Sequence, residues 1–181
     1  MTLRLEDYLF EKLNIKKKVW TVVNLSDIDK ETRHKLWDMY VDTYQTIGLH
    51  VESIDKLVSK YKVSWMIDTD KDPEPDAFVI YKETQYGNKI ALMGTDGNRL
   101  NKRLLIYKVS KLLKTKGWYA EASHKIAEIF LNKGIKTFTD IDLIKKILGK
   151  SDIISTDEKD VYKRKIGTLG VIKKRLFGSI K

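Results

Sequence analysis

Apolar positions along the chain change period several times, and each change predicts an element. Leu5, Tyr8, Leu9 and Leu13 fall at helical spacings, which predicts a short amphipathic helix over 5–13 inside an N-terminal helical extension, residues 1–16. Val19-Trp-Thr-Val-Val23 is continuous and β-branched, the pattern of a buried strand. Ser26 or Asp29 then caps a longer helix to about Tyr44, whose stripe is Leu36, Trp37, Tyr40, Val41 and Tyr44. A shorter helix is expected from Ser53 to about Tyr61, with Ile54, Leu57 and Val58 inward.

Alternation replaces helical spacing in the next three runs, Val63–Asp68, Ala77–Tyr81 and Lys89–Met93, with a turn around Tyr86-Gly-Asn88 joining the last two. They form an antiparallel meander. The only prolines, Pro73 and Pro75, lie in the polar loop 70–76. The period is helical again over 99–116, where Leu105, Ile106, Val109, Leu112 and Leu113 share a face and Gly117 supplies the stop. Trp118–Ala122 is a strand, Ser123 to Lys133 a helix stopped by Gly134, and Asp140 to Leu148 a helix stopped by Gly149. Val161–Ile166 and Val171–Phe177 make a closing hairpin. The order α-β-α-α-β-β-β-α-β-α-α-β-β, without repeats, linkers or low-complexity tracts, predicts one α/β domain over residues 1–181.

Charge adds a second layer. The net +10 is the sum of −2 over residues 1–100 and +12 over 101–181, and Val161 to Lys181 holds seven basic residues and no acid. Such asymmetry either marks a surface for nucleic acid or an acidic protein, or reflects lysine used as a general solubiliser. Lys163, Lys165, Lys173 and Lys174 are the candidate nucleic-acid contacts, with Tyr162 and Phe177 interleaved as stacking platforms. The helix over 99–116 carries Arg99, Lys102, Arg103, Lys108, Lys111, Lys114 and Lys116, enough for several further phosphate contacts.

With no cysteine, thiol nucleophiles, disulfides and zinc fingers are excluded. His34, His50 and His124 are scattered, Asp68–Asp72 lacks the Gly and Glu of a calcium loop, and no Walker sequence occurs, so neither a metal nor nucleotide hydrolysis is expected. No apolar run approaches the ~20 residues of a membrane span, and the chain start lacks a signal core, so a cytoplasmic protein is expected.

Glu121 lies in an apolar, aromatic strand. Desolvation there would lift its carboxyl toward the range of a general base; the other reading is an outward residue paired to a lysine. His124 is either a base or relay working with Glu121 or Glu128, or plain surface. Ser123 is read as an N-cap.

This element order, with Gly117-Trp-Tyr-Ala-Glu-Ala-Ser123 and the helix from Ser123 to Gly134-Ile135, resembles the Gcn5-related N-acetyltransferase (GNAT) family over residues 17–178. The resemblance implies an acyl-CoA N-acyltransferase-like fold: a mixed, mostly antiparallel sheet flanked by helices on both faces. The strands near 89–93 and 118–122 would be parallel neighbours that splay, joined by the 99–116 helix in a right-handed crossover. It also implies acetyl-CoA or another acyl-CoA as cofactor, and an amine of a protein or nucleic acid as acceptor; basic members of that group, phage enzymes among them, act on nucleic acid.

The segment Met93, Gly94, Gly97, Asn98, Arg99, Lys102 and Arg103 corresponds to the turn that holds the coenzyme's pyrophosphate. Leu100 and Lys102 stand where the family has glycines, so free helix-start amides plus Arg99, Lys102 and Arg103 would hold the phosphates. The family's tyrosine acid corresponds to Phe130, which cannot donate a proton; Tyr119, Tyr107 or Tyr162 would substitute, thiolate would leave unaided, or catalysis is lost. Glu121, Tyr119 and His124 are the catalytic candidates.

Overall fold

The computed structural model describes residues 18–44, 61–68, 75–150, 152–165 and 170–181. The helices expected over 5–13 and from Ser53, and most of the polar loop 70–76, lie outside the described residues. Within them, β1 (Lys18–Asn24) leads through a 3-10 turn, Leu25–Asp27, to α1 (Lys30–Tyr44). Then come β2 (Lys62–Asp68), β3 (Pro75–Thr84), β4 (Gly87–Thr95), α2 (Arg99–Lys114), β5 (Trp118–Ser123) and α3 (His124–Asn132). The chain continues with α4 (Ile141–Leu148), β6 (Ile153–Ser155), β7 (Tyr162–Lys165) and β8 (Val171–Ser179). The elements form two compact units, and β3, β4 and α2 each run through both.

In the first unit β1, β2, β3 and β4 lie side by side in that order, with β1 antiparallel to β2 and β2 antiparallel to β3. Asp29 is the residue that opens α1: its carboxylate accepts from the Thr32 N–H at 2.9 Å and the Thr32 hydroxyl at 2.7 Å. Those bonds hold its carboxyl below the usual range. The core here is Leu25, Ile28, Leu36, Ala77–Ile80, Leu92, Met93, Leu104 and Leu105. Two expectations change. Among the described residues β1 has a neighbour on one side only, and Val19 and Val22 are 46% and 57% exposed, so the strand is an edge rather than buried. Val41, assigned to the inner stripe of α1, faces out.

In the second unit the order is β4, β5, β8, β7, β6. The expected parallel pair is present: Asn88 lies opposite Trp118 and Lys89 opposite Tyr119. That ladder ends there, as expected of strands that splay, while β5 stays paired antiparallel with β8 from Trp118 to Ser123. The hairpin of β7 and β8 is as expected. An additional strand, the three-residue β6, pairs with β7 and is too short to show alternation.

Register divides this sheet into two faces, and each carries a helix. One presents Tyr119, Glu121, Lys174, Leu176, Tyr162 and Ile153; α4 closes it with Ile144, Ile147 and Leu148 in a shared core. α4 owes its sharp ends to Asp140, whose side chain accepts from the N–H groups of Asp142 and Leu143, and to left-handed Gly149. On the other face Phe130 of α3 meets Phe177 of β8 edge-on, with ring centroids 5.3 Å apart. The fold is therefore mixed and mostly antiparallel, with helices on both faces of this sheet.

Candidate functional site

Glu121 is drawn into a charged cluster by strand alternation alone. It shares a face with Lys174 on β8 and with Tyr162 and Arg164 on β7, while the parallel register puts Lys89 beside Tyr119. The Tyr162 hydroxyl donates to Glu121 Oε2 at 2.8 Å and Arg164 Nη1 to Oε1 at 2.5 Å, so both carboxylate oxygens are engaged. The pair is nearly inaccessible, with side-chain exposures of 9% for Glu121 and 14% for Arg164. Asp152 stands 3.9 Å from Arg164 Nε.

Of the two readings of Glu121, the raised carboxyl is not met, whereas pairing to a cation is, with Arg164 in place of a lysine. Burial does push its carboxyl up, but Lys174, Arg164, Lys89 and the Tyr162 hydroxyl outweigh burial, and the group sits below its ordinary value. It is an ionised structural anion, not a base tuned toward neutrality. Burial and the adjacent Glu121 push the Tyr162 hydroxyl up, which keeps it a donor. Burial lowers Lys174, and it lowers Lys89 to about 8.

Tyr119 is fully buried, and its hydroxyl lies 2.9 Å from Thr84 Oγ1. Since Thr84 gives its own proton to the Gly87 carbonyl, Tyr119 donates and Thr84 accepts. His124 opens α3 on the surface, 82% exposed, with Nε2 3.7 Å from Glu128 Oε1. The expected Glu128 neighbour is thus present. Ser123 sits at the N-cap position in extended backbone, but its side chain makes no capping bond.

The turn before α2 departs from expectation in an informative way. Gly97 donates to Thr95 Oγ1 at 3.2 Å and Asn98 to Asp96 Oδ1 at 2.9 Å. Leu100 and Asn101 both donate to Asn98 Oδ1, at 2.9 and 3.4 Å. The Asn101 amide group in turn holds the Asp96 carboxylate at 3.0 and 3.1 Å. These backbone amides are therefore not free: Asn98 and Asp96 side chains fill the acceptor positions that a diphosphate would take, so an amide cradle does not fit. Side-chain recognition does fit, because Arg99, Lys102 and Arg103 are all exposed and the first turn of α2 holds no acid. Met93 and Gly94 are buried; a Cβ on Gly94 would stand 2.8 Å from the Phe78 ring and 3.1 Å from the α1 backbone at Tyr40, so packing alone accounts for that glycine.

The four candidate nucleic-acid lysines do not form one surface. Lys163 and Lys173 face each other across β7 and β8, and Lys165 shares their face. Lys174 points to the opposite face, beside Glu121, and is removed from that set. Ser155, Thr156, Asp157 and Glu158 join Lys163 and Lys173 around a cleft of about 230 Å³. Arg175 is paired with Asp160 at 3.0 Å and Glu158 at 3.3 Å, so acids of the β6–β7 loop offset part of the basic tail. Among the described residues there is no group of acids and histidines arranged to hold a metal, and no helix is long and apolar enough to cross a membrane.

No family model and no curated protein matches this sequence. Solved structures do. An acetyltransferase of Bacillus subtilis in complex with CoA is 10% identical and superposes with a TM-score of 0.50, over 91% of this chain and 99% of that one. The fold is GNAT-like. The Escherichia coli ribosomal-protein-S18-alanine N-acetyltransferase is 11% identical, with a TM-score of 0.47 over 90% of this chain and 94% of that one. A putative GNAT-family acetyltransferase from Bacteroides thetaiotaomicron is 12% identical, with a TM-score of 0.44 over 90% and 88%. Phe130, the residue that the family resemblance aligned with a tyrosine acid, is 1% exposed and packed on Phe177.

Arg164, Lys89, Asp152 and Asp96 were not singled out by sequence reasoning. The alternation of Tyr162 with Arg164 and of Leu176 with Lys174 carried the signal for the first, since it puts them on one face once the strands are paired.

Proposed function

We propose that the protein is a divergent acyl-CoA-dependent N-acyltransferase, acting in the cytoplasm on an amine of a protein or nucleic-acid substrate. The observation that carries this reading is the GNAT-like fold with its short parallel ladder between β4 and β5. The coenzyme, when bound, supplies an acyl thioester open to attack by the amine. Arg99, Lys102 and Arg103 hold its phosphates through their side chains, in place of the turn amides that Asn98 and Asp96 occupy.

Glu121 and Tyr119 give up and take no proton in this scheme: one is a locked anion and the other a buried donor to Thr84. His124, whose ring is exposed at the start of α3, is the candidate that exchanges protons with an ammonium group. Phe130 leaves the departing thiolate without an acid at the family's position.

Calorimetry with coenzyme A tests the proposal directly. Binding heat is expected for the unmutated protein, and Arg99→Glu with Lys102→Glu should weaken affinity by about tenfold or more through two lost charge-assisted contacts. Thermal stability should stay nearly constant, since exposed charges contribute little to folding. No heat at millimolar ligand overturns the reading.

A second reading, polyanion binding by the same scaffold, is favoured by the Lys163 and Lys173 pair. Like charges directly opposite one another on neighbouring strands are unfavourable, and a nucleic-acid phosphate between them would relieve the repulsion. Preference for an acidic protein over nucleic acid would replace that partner.

A further inference from the structure

We infer that the cleft between the β6–β7 loop and the outer faces of β7 and β8 is a binding site for a small zwitterion, a molecule that carries an oxyanion and an ammonium group a few bonds apart. The inference rests on neither coenzyme nor nucleic-acid binding. It starts from the lining: Ser155 to Glu158 come from the end of β6 and the loop after it, and Lys163 and Lys173 from β7 and β8. All of them belong to the second compact unit.

Strand pairing fixes the floor. Lys163 and Lys173 are direct register partners, so their side chains leave the sheet side by side on one face. Among the described residues neither ammonium has a hydrogen bond or an ion pair. Like charges so placed repel, and an oxyanion seated between them accepts from both.

The rim is held by its own bonds. Thr156 Oγ1 donates to the Val161 carbonyl at 2.7 Å and accepts from the Glu158 N–H at 3.3 Å. The Val161 N–H closes the loop on the Glu158 carbonyl at 3.2 Å. Arg175 ties down two acids of the loop, Asp160 through Nε at 3.0 Å and Glu158 through Nη2 at 3.3 Å. Asp157 is flanked by these anchored residues, and its own carboxylate has no hydrogen bond or ion pair among the described residues.

One cleft therefore presents two unpaired cations and one unpaired anion that do not reach each other. The space between them is about 230 Å³. At about 30 Å³ per water, a ligand of amino-acid size fills it. A plain anion would meet the acids of the rim, and a plain amine the lysines of the floor. A zwitterion meets a complementary charge at each end.

Phosphoethanolamine and γ-aminobutyrate are the probes, titrated against the full chain by calorimetry, with inorganic phosphate, acetate and ethylamine as single-charge controls. Saturable binding of at least one zwitterion is expected, about tenfold or more tighter than any control. The tighter of the two identifies the oxyanion as phosphate or carboxylate. Lys163→Gln, Lys173→Gln and Asp157→Asn should each weaken binding by about threefold or more, through one lost charge-assisted contact in an open cleft. Lys146→Gln on α4, which packs against the other sheet face, should change nothing. Surface charges contribute little to folding, so thermal unfolding of the variants should match the parent. Asp157→Asn also separates this site from a polyanion surface, because losing a rim acid strengthens the hold on a polyanion and loosens the hold on a zwitterion. No saturable binding of either zwitterion, controls that bind equally well, or lysine and Asp157 variants that bind as the parent does, overturns the inference.

Discussion

Glu121 on β5 and Arg164 on β7 meet over the intervening strand β8, with Oε1 and Nη1 2.5 Å apart and both side chains almost inaccessible. Glu121 is the only carboxylate touching Arg164 besides Asp152 among the described residues, and it also anchors Tyr162. Glu121→Gln should therefore destabilise the protein by about 3–5 kcal/mol, because it leaves buried cations without their counter-charge. Glu121→Met combined with Arg164→Met should recover much of that loss. Urea unfolding of the three proteins checks it, and a single-variant cost under about 1 kcal/mol would show that the pair is solvated.

Stability should respond to pH at both ends for separate reasons. The Glu121 carboxyl is held below its ordinary 4.5, so its contribution is complete above that value and is lost as acid carries the pH down through the lower folded value. Lys89 has the opposite linkage. Its folded value of about 8 lies below its ordinary 10.5, so the unfolded chain binds more protons between them and stability should rise with pH over that window. The rise is on the order of 2–3 kcal/mol. Lys89→Met should flatten the alkaline limb and leave the acid limb in place, measured by denaturant unfolding from pH 3 to 10.

Phe130 is a packing position that a hydroxyl would disturb. Phe130→Tyr adds a hydroxyl to a side chain that is 1% exposed, where it would lose about 1–3 kcal/mol if unpartnered. Phe130→Ala should cost about 3–5 kcal/mol through the cavity it opens. If Phe130→Tyr were as stable as the parent and faster in acyl transfer, the reading of this position as pure packing would fall.

The legible part of the fold was what period and punctuation encode. Leu105, Val109 and Leu113 gave α2, Asp140 and Gly149 gave the ends of α4, and the Gly117–Ser123 run gave β5. Burial was less legible: Val19 and Val22 have strand propensity wherever the strand lies, and only sheet order makes β1 an edge. The site was least legible, because its members come from β4, β5, β7 and β8. Glu121 was visible as an acid in an apolar strand, but the sign of its pKa depended on Arg164, Lys174 and Lys89, whose arrival follows from register across distant segments. Asn98 and Asp96 read as ordinary polar turn residues; their capture of the turn amides is a conformational outcome that spacing does not specify.

The turn before α2 predicts opposed effects on stability and ligand affinity. Asn98→Gly frees the N–H groups of Leu100 and Asn101 and removes an N-cap, which should cost no more than about 1 kcal/mol. Adding Asp96→Gly removes the carboxylate that caps the Asn98 N–H. If phosphates of coenzyme A bind at this helix start, the double variant should bind it more tightly than the parent by calorimetry, since the amides and the dipole end become available. Unchanged affinity would separate the coenzyme from this turn.

The basic hairpin gives a prediction whose control lies in the same two strands. Lys163, Lys165 and Lys173 share the outer face, whereas Lys174 is turned inward beside Glu121. If the outer face contacts nucleic acid, log affinity should fall linearly with log salt concentration, and Lys163→Gln, Lys165→Gln and Lys173→Gln should each reduce the slope by about one unit. Lys174→Gln removes the same formal charge from the next position along β8, yet should leave the slope unchanged because its ammonium does not reach a bound phosphate. Asp157 and Glu158 border the cleft with Lys163 and Lys173, so Asp157→Asn with Glu158→Gln should strengthen binding and steepen its salt dependence. Filter binding or fluorescence anisotropy with a short duplex and a single strand, over a series of salt concentrations, reads both effects. Equal slopes for the Lys173 and Lys174 variants would mean that only total charge is sensed, and would remove the outer face as an interface.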